Sequence, residues 1–154
     1  MHKFLFSSLI LSATFAHGQD KRALDSVDKV IINQIIAPAE QSAASQEPSW
    51  TAILLQIKAT YSDTQADRAI TKAQIYYYYN KNWPKFSTAI VHYTETYEDK
   101  DDLKLMNKNA NFILQHSTDP KELATARSWM KHAIEKEPSN ETYKTTYDAL
   151  GEKL

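Results

Sequence analysis

The sequence predicts an all-α chain of paired helical hairpins, and three observations carry that prediction. Apolar residues recur at spacings of three and four along almost the whole region after residue 19, the period of one buried helix face. Glycine occurs only twice, at Gly18 and Gly151, so glycine-rich phosphate loops and nucleophile elbows cannot be built, which disfavours cofactor-binding α/β folds. The five prolines are sparse and punctuate the periodic segments.

Taken in order, Leu24, Val27, Ile31 and Ile35 mark a first helix that should stop near Pro38. Residues 37–48, APAEQSAASQEP, are small, polar and bounded by proline, and read as a linker. Trp50, Ile53, Leu54, Ile57 and Tyr61 form a second stripe. A third helix is expected over about 66–80, with Ala69, Ile70, Ala73 and the run Tyr76 to Tyr79. Asn82 can cap a fourth helix with Pro84 in its first turn, where no amide donor is needed, and Phe86, Ile90, Tyr93 and Tyr97 make its buried face. A fifth, from about Asp101, carries Leu103, Met106, Ala110, Ile113 and Leu114. Asp119, Pro120 and Glu122 give the sixth a cap, a proline at its first position and a capping-box partner. That helix ends before Pro138, and Ser139 can cap a last one bearing Tyr143, Tyr147 and Leu150.

The first residues have the three parts of a secretory signal: Lys3, a short apolar core from Phe4 to Ala16, and small residues around a cut before Gln19. The apolar run is shorter than the roughly 20 residues a bilayer span requires. Expected organisation is therefore a signal peptide over 1–18, an N-terminal helix and polar linker over 19–47, and a helical domain over 48–154. Export to the periplasm or outside the cell follows from the signal, with no stable membrane span after its removal.

The chain has no cysteine, which excludes disulfides, thiolate metal sites and CxxC redox chemistry. Its 18 basic and 19 acidic side chains balance, without the long basic run that a general nucleic-acid or membrane binder needs. No catalytic residue, metal site or cofactor is expected. Two His-x-x-Glu pairs, His92/Glu95 and His132/Glu135, each lie on one helix face. Di-iron bundles use the reverse order with further glutamates, so these pairs read as a polar outer face. Glu98 to Asp102 is acidic but lacks the glycine and terminal glutamate of a calcium loop.

The pattern repeats. At an offset of 40 residues, Trp83-Pro84-Lys85-Phe86 lies over Leu123 to Ala126, Ile90 over Met130, Tyr93 over Ala133, Ile70 over Ala110 and Ala73 over Ile113. Ala126, Met130, Ala133 and Pro138 have the spacing of the second helix of a tetratricopeptide repeat, and HAIEKEPSNE resembles its helix end and turn. Leu114 departs from that motif, standing where a small residue is usual.

From about Pro48 onward, IYYYYNKNWPKF, LMNKNANFIL, ATARSWMKHAIEKEP and TTYDALGEKL together resemble the helical C-terminal region of exported bacterial thioredoxin-family proteins. The thioredoxin domain and its CxxC are missing, so no redox activity carries over. The resemblance implies a stand-alone relative of that accessory region, or a fragment with its own signal peptide.

The expected activity is non-covalent: an exported helical-repeat module that binds a protein or peptide in the groove between hairpins. The alternative is an accessory part of a thiol-redox system, positioning substrate for a separate thioredoxin-like protein. Tyr76 to Tyr79 cover a full helical turn and cannot all face one core. Tyr76, Tyr77, Tyr79, Trp83 and Trp129 are the residues expected on the groove or its walls.

Overall fold

The computed structural model describes residues 23–44 and 46–154. The expected signal peptide lies outside those residues. Every regular element among the described residues is helical. Seven helices follow one another: α1 (residues 23–42), α2 (Trp50–Lys58), α3 (Asp63–Tyr78), α4 (Trp83–Tyr97), α5 (Leu103–His116), α6 (Pro120–Lys136) and α7 (Glu141–Glu152). The all-α prediction holds. The chain divides into two compact units, with the division inside α3 between Ala69 and Ile70.

In the first unit, α1 does not stop near Pro38. A π-helical segment, Ile32–Ile36, joins residues 23–31 to the α-helical Ala37–Ser42, and the Ala37 amide donates to the Ile32 carbonyl. Proline has no amide hydrogen and its ring crowds the carbonyl four residues back; widening the preceding turn accommodates both. The wider turn also advances the buried face by one position. Ile31 and Ile36 are buried, whereas the regular spacing points to Ile35, which is half-buried. The first half of the expected 37–48 linker is therefore helix. In α2, Ile53 and Ile57 supply the buried stripe.

Asp28 of α1 and Arg68 of α3 form a buried ion pair. Arg68 Nη2 donates to Asp28 Oδ1 at 2.7 Å, and Arg68 Nε lies 3.0 Å from both carboxylate oxygens. The same Nη2 donates to the Leu24 carbonyl at 2.9 Å. One guanidinium thus ties two turns of α1 to α3, in the forked geometry only arginine offers. The start of α3 is a reciprocal capping box: the Ser62 amide donates to Gln65 Oε1 at 3.1 Å, and the Gln65 amide to Ser62 Oγ at 3.3 Å.

In the second unit the helix starts are fixed by side-chain caps. Asn82, Asp102, Asp119 and Asn140 each accept a first-turn amide. Asn82 and Asp119 cap as expected; the last helix uses Asn140 in place of Ser139. Glu122 does not complete a capping box. Its carboxylate accepts from the Thr88 hydroxyl at 2.7 Å and the Ser117 hydroxyl at 2.6 Å, while Ser117 Oγ takes the Asp119 amide.

Within the second unit, from α4 to α7, consecutive helices pack as antiparallel neighbours. Between α4 and α5, Trp83 meets His116, Phe86 meets Phe112, and the Asn109 amide donates to Thr94 Oγ1 at 2.9 Å within the core. Alternate helices run parallel. Thr88 with Glu122 and Glu95 with Trp129 each join α4 to α6 across 34 residues. Thr146 joins α7 to Asn107 and Asn111 of α5, and Lys153 donates to the Leu114 carbonyl.

Burial follows the 40-residue offset read from the sequence. Ala66, Ala69, Ile70 and Ala73 on α3 correspond to Met106, Asn109, Ala110 and Ile113 on α5, all buried. Phe86, Ala89 and Ile90 on α4 correspond to the buried Ala126, Trp129 and Met130 on α6. Ala126 and Ala133 are fully enclosed, as small residues must be where helix axes approach closely.

Candidate partner-binding surface

The α3–α4 turn gathers the aromatic residues. The Lys81 and Asn82 amides both donate to the Tyr78 carbonyl at 2.9 Å, which stops α3. Asn80 adopts a left-handed conformation (φ 60°), which asparagine tolerates better than most residues. Asn82 then restarts the chain as α4, setting Tyr79 beside Trp83 one tight turn later.

The four tyrosines diverge as a full helical turn requires. Tyr78 is buried and meets Tyr77 edge-on at 5.4 Å. Tyr77 is half-buried beneath the Lys81 ammonium, 4.1 Å from the ring centre. Tyr76 is 72% exposed and Tyr79 47%. Tyr79 meets Trp83 edge-on at 5.6 Å and Phe86 at 5.6 Å. Phe86 is the buried hub, meeting Trp83 at 5.4 Å and Phe112 at 5.6 Å, both edge-on. Such ring pairs contribute about 0.5–1.5 kcal/mol each beyond the area they bury. Trp83 stacks face to face on His116 at 3.5 Å, with 6° between the planes.

Four of the five expected residues, Tyr76, Tyr77, Tyr79 and Trp83, thus share one region with at least partial exposure. Trp129 does not join them. It is 3% exposed, and its indole N–H donates to Glu95 Oε1 at 2.6 Å, so it closes the α4–α6 packing and offers no free ring face to a partner. Phe86, expected on the buried face of α4, is the core of the aromatic cluster; His116, which no sequence feature singles out, joins it because α5 returns antiparallel beside α4.

One member of each His-x-x-Glu pair, Glu95 and His132, takes part in polar clusters around Lys100 and Asp101 at the opposite end of α4. Glu95 accepts from Lys100 and from Trp129, and the Lys100 ammonium lies 5.7 Å from the Trp129 ring centre. His132 Nε2 donates to Asp101 Oδ1 at 2.9 Å, with Lys136 Nζ 3.3 Å from the same oxygen. Among the described residues no group of three or more His, Asp or Glu side chains is arranged to hold a metal ion.

Partial burial would raise the Glu95 pKa, but hydrogen bonds from Lys100 and Trp129, with the charge of Lys100, outweigh it and hold the group below 4.5. Asp101 lies below 3.8 through hydrogen bonds from His132 and Lys136. A carboxylate with a depressed folded-state pKa stabilises the fold above its unfolded pKa, and that contribution is lost as pH falls through the folded value. The Glu95→Gln/Asp101→Asn double variant is therefore expected to show a flatter fall in Tm than the wild type between about pH 5 and pH 3. Thermal melts read by circular dichroism check this; parallel curves would refute it.

Comparison with protein-family models, with curated proteins and with solved structures finds no match to this chain.

Proposed function

We propose that the chain is a non-catalytic helical-repeat module of the tetratricopeptide-like kind, holding a protein or peptide partner on the surface of its stacked hairpins. The observation that carries this reading is the aromatic region at the α3–α4 turn. Tyr76 and Tyr79 stand exposed, and Tyr79 is braced from behind by Trp83 and Phe86. Large rings held rigid at a surface supply contact area at low entropic cost, the usual chemistry of partner anchors. The recurrence of buried positions at 40 residues supports the repeat reading, since each hairpin then presents equivalent faces along the stack. An exported location belongs to the same proposal; positioning substrate for a separate thioredoxin-like protein is the alternative to it.

The test is affinity capture from the cell envelope with the wild-type chain and with a Tyr76→Ala/Tyr79→Ala variant. A specific protein recovered by the first and lost by the second, at unchanged helicity, is the expected result. Recovery of the same proteins by both would sink the assignment of this surface.

A further inference from the structure

One face of the second unit carries charge that the chain does not neutralise. Where α6 meets α7, the Arg127 guanidinium lies 4.2 Å over the Tyr147 ring. Its place depends on Gly151, because a β-carbon there would stand 2.9 Å from Arg127 Nη2. The last turn of α7 thus carries the poorest helix former after proline where the guanidinium rests against it. Arg127 Nε is enclosed without an acceptor. Among the described residues no carboxylate pairs with Arg127, nor with the exposed Lys131 one turn further along α6.

On α7 the opposite sign stands at the same spacing. Asp148 and Glu152 are exposed, four residues apart, and among the described residues no cation pairs with either. The neighbouring lysines are engaged elsewhere: Lys144 by Glu141 at 2.7 Å, and Lys153 by the Leu114 carbonyl. The 40-residue register marks this flank of α6 as open where its counterpart is closed. Ser87 and Thr94 of α4 are fully buried, whereas the equivalent Arg127 and Ile134 of α6 are half-buried. A guanidinium spread on a ring is oriented before its anion arrives, and arginines of this kind are frequent anchors of interfaces.

We propose that the α6–α7 face docks on the same face of a second copy of this chain. Charge complementarity names the occupant. A two-fold interface requires a surface that matches its own image, and here a basic pair and an acidic pair, each one turn long, stand on neighbouring antiparallel helices. A two-fold axis running along those helices sets α6 of one copy against α7 of the other and keeps every residue at its own level. Arg127, level with Tyr147 and Gly151 of its own chain, then meets the turn from Asp148 to Glu152 of the second copy. Lys131 approaches the same Asp148 from the next turn, and the whole set of contacts forms twice. Half-buried Ile134 and Tyr147 supply apolar area beside the charges. This interface does not involve the aromatic region at the α3–α4 turn and goes beyond the partner-binding reading.

The test is sedimentation velocity of the full chain over a concentration series, at low and high sodium chloride. The wild type is expected to dimerise, less tightly as salt rises. Arg127→Glu/Lys131→Glu and Asp148→Lys/Glu152→Lys should each weaken the dimer about a hundredfold or more at unchanged helicity, since like charges then face each other twice. An equimolar mixture of the two variants should dimerise again, because both sets of contacts are then of opposite sign. Gly151→Ala should weaken the wild-type dimer by displacing the guanidinium, and Tyr76→Ala/Tyr79→Ala should leave it unchanged. The single variants Lys131→Glu and Glu152→Lys, both at exposed positions, repeat the comparison if a double variant loses helicity. A wild type still monomeric at about 1 mM, where even weak dimers form, would overturn the proposal. Charge-reversed variants that dimerise as the wild type does, or a mixture that stays monomeric, would overturn it equally.

Discussion

Arg68→Ala is expected to cost about 3–5 kcal/mol, the penalty for stranding one charge of a buried pair. The Asp28 carboxylate is enclosed at 1% side-chain exposure, and Arg68 at 8%. Removing the guanidinium withdraws three short contacts from Asp28 and one from the Leu24 carbonyl together. Asp28→Ala should cost a similar amount for the converse reason. The double variant Asp28→Leu/Arg68→Met is expected to recover most of the loss, because an apolar pair of similar volume asks for no compensation of charge. Denaturant unfolding gives the free energies, and hydrogen exchange over residues 23–42 locates the loss in α1. Equal destabilisation by the single and double variants would show that shape, rather than charge, holds this junction.

Phe86→Ala is expected to cost about 3–5 kcal/mol, the range for deleting a buried phenylalanine ring. Phe86 is 2% exposed, and Tyr79, Trp83, Phe112 and His116 all surround it. The cavity would loosen every ring it braces, so partner binding should fall as well. Tyr76→Ala is the contrast. At 72% exposure its removal should change stability by no more than about 0.5 kcal/mol while weakening binding. Denaturant midpoints together with binding titrations separate the two. Equal stability losses would mean that the exposed tyrosine is part of the core.

The helices themselves were legible because period and punctuation agreed. Asn82 and Asp119 cap where a polar residue precedes an apolar stripe, and Ala126, Met130 and Ala133 are enclosed as their spacing requires. The phase of α1 was not legible, since a π turn before Pro38 advances the buried face by one residue and no periodic template contains that step. Ser62-Asp63-Thr64-Gln65 did carry a readable capping-box signature, whereas Glu122, in the same pattern, found stronger hydroxyl donors on Thr88 and Ser117. The burial of Asp28 and Arg68 was not legible, because they meet across 40 residues, which composition cannot register. Trp129 and Tyr76 looked alike in sequence. Only the approach of α6 to Glu95 covers the one and leaves the other in water.

The π segment of α1 has one more consequence. A continuous α-helix behaves as a single rigid screw: a residue added or removed anywhere rotates everything beyond it by about 100°. In α1 the turn at Ile32–Ile36 already contains the surplus residue, so it works as a slip joint between two keyed shafts. Asp28 and Ile31 set the angular position of the first shaft, and Ile36 that of the second. The surplus residue thereby lets Ile31 and Ile36, five positions apart, share the buried side that residues four apart share on a regular helix.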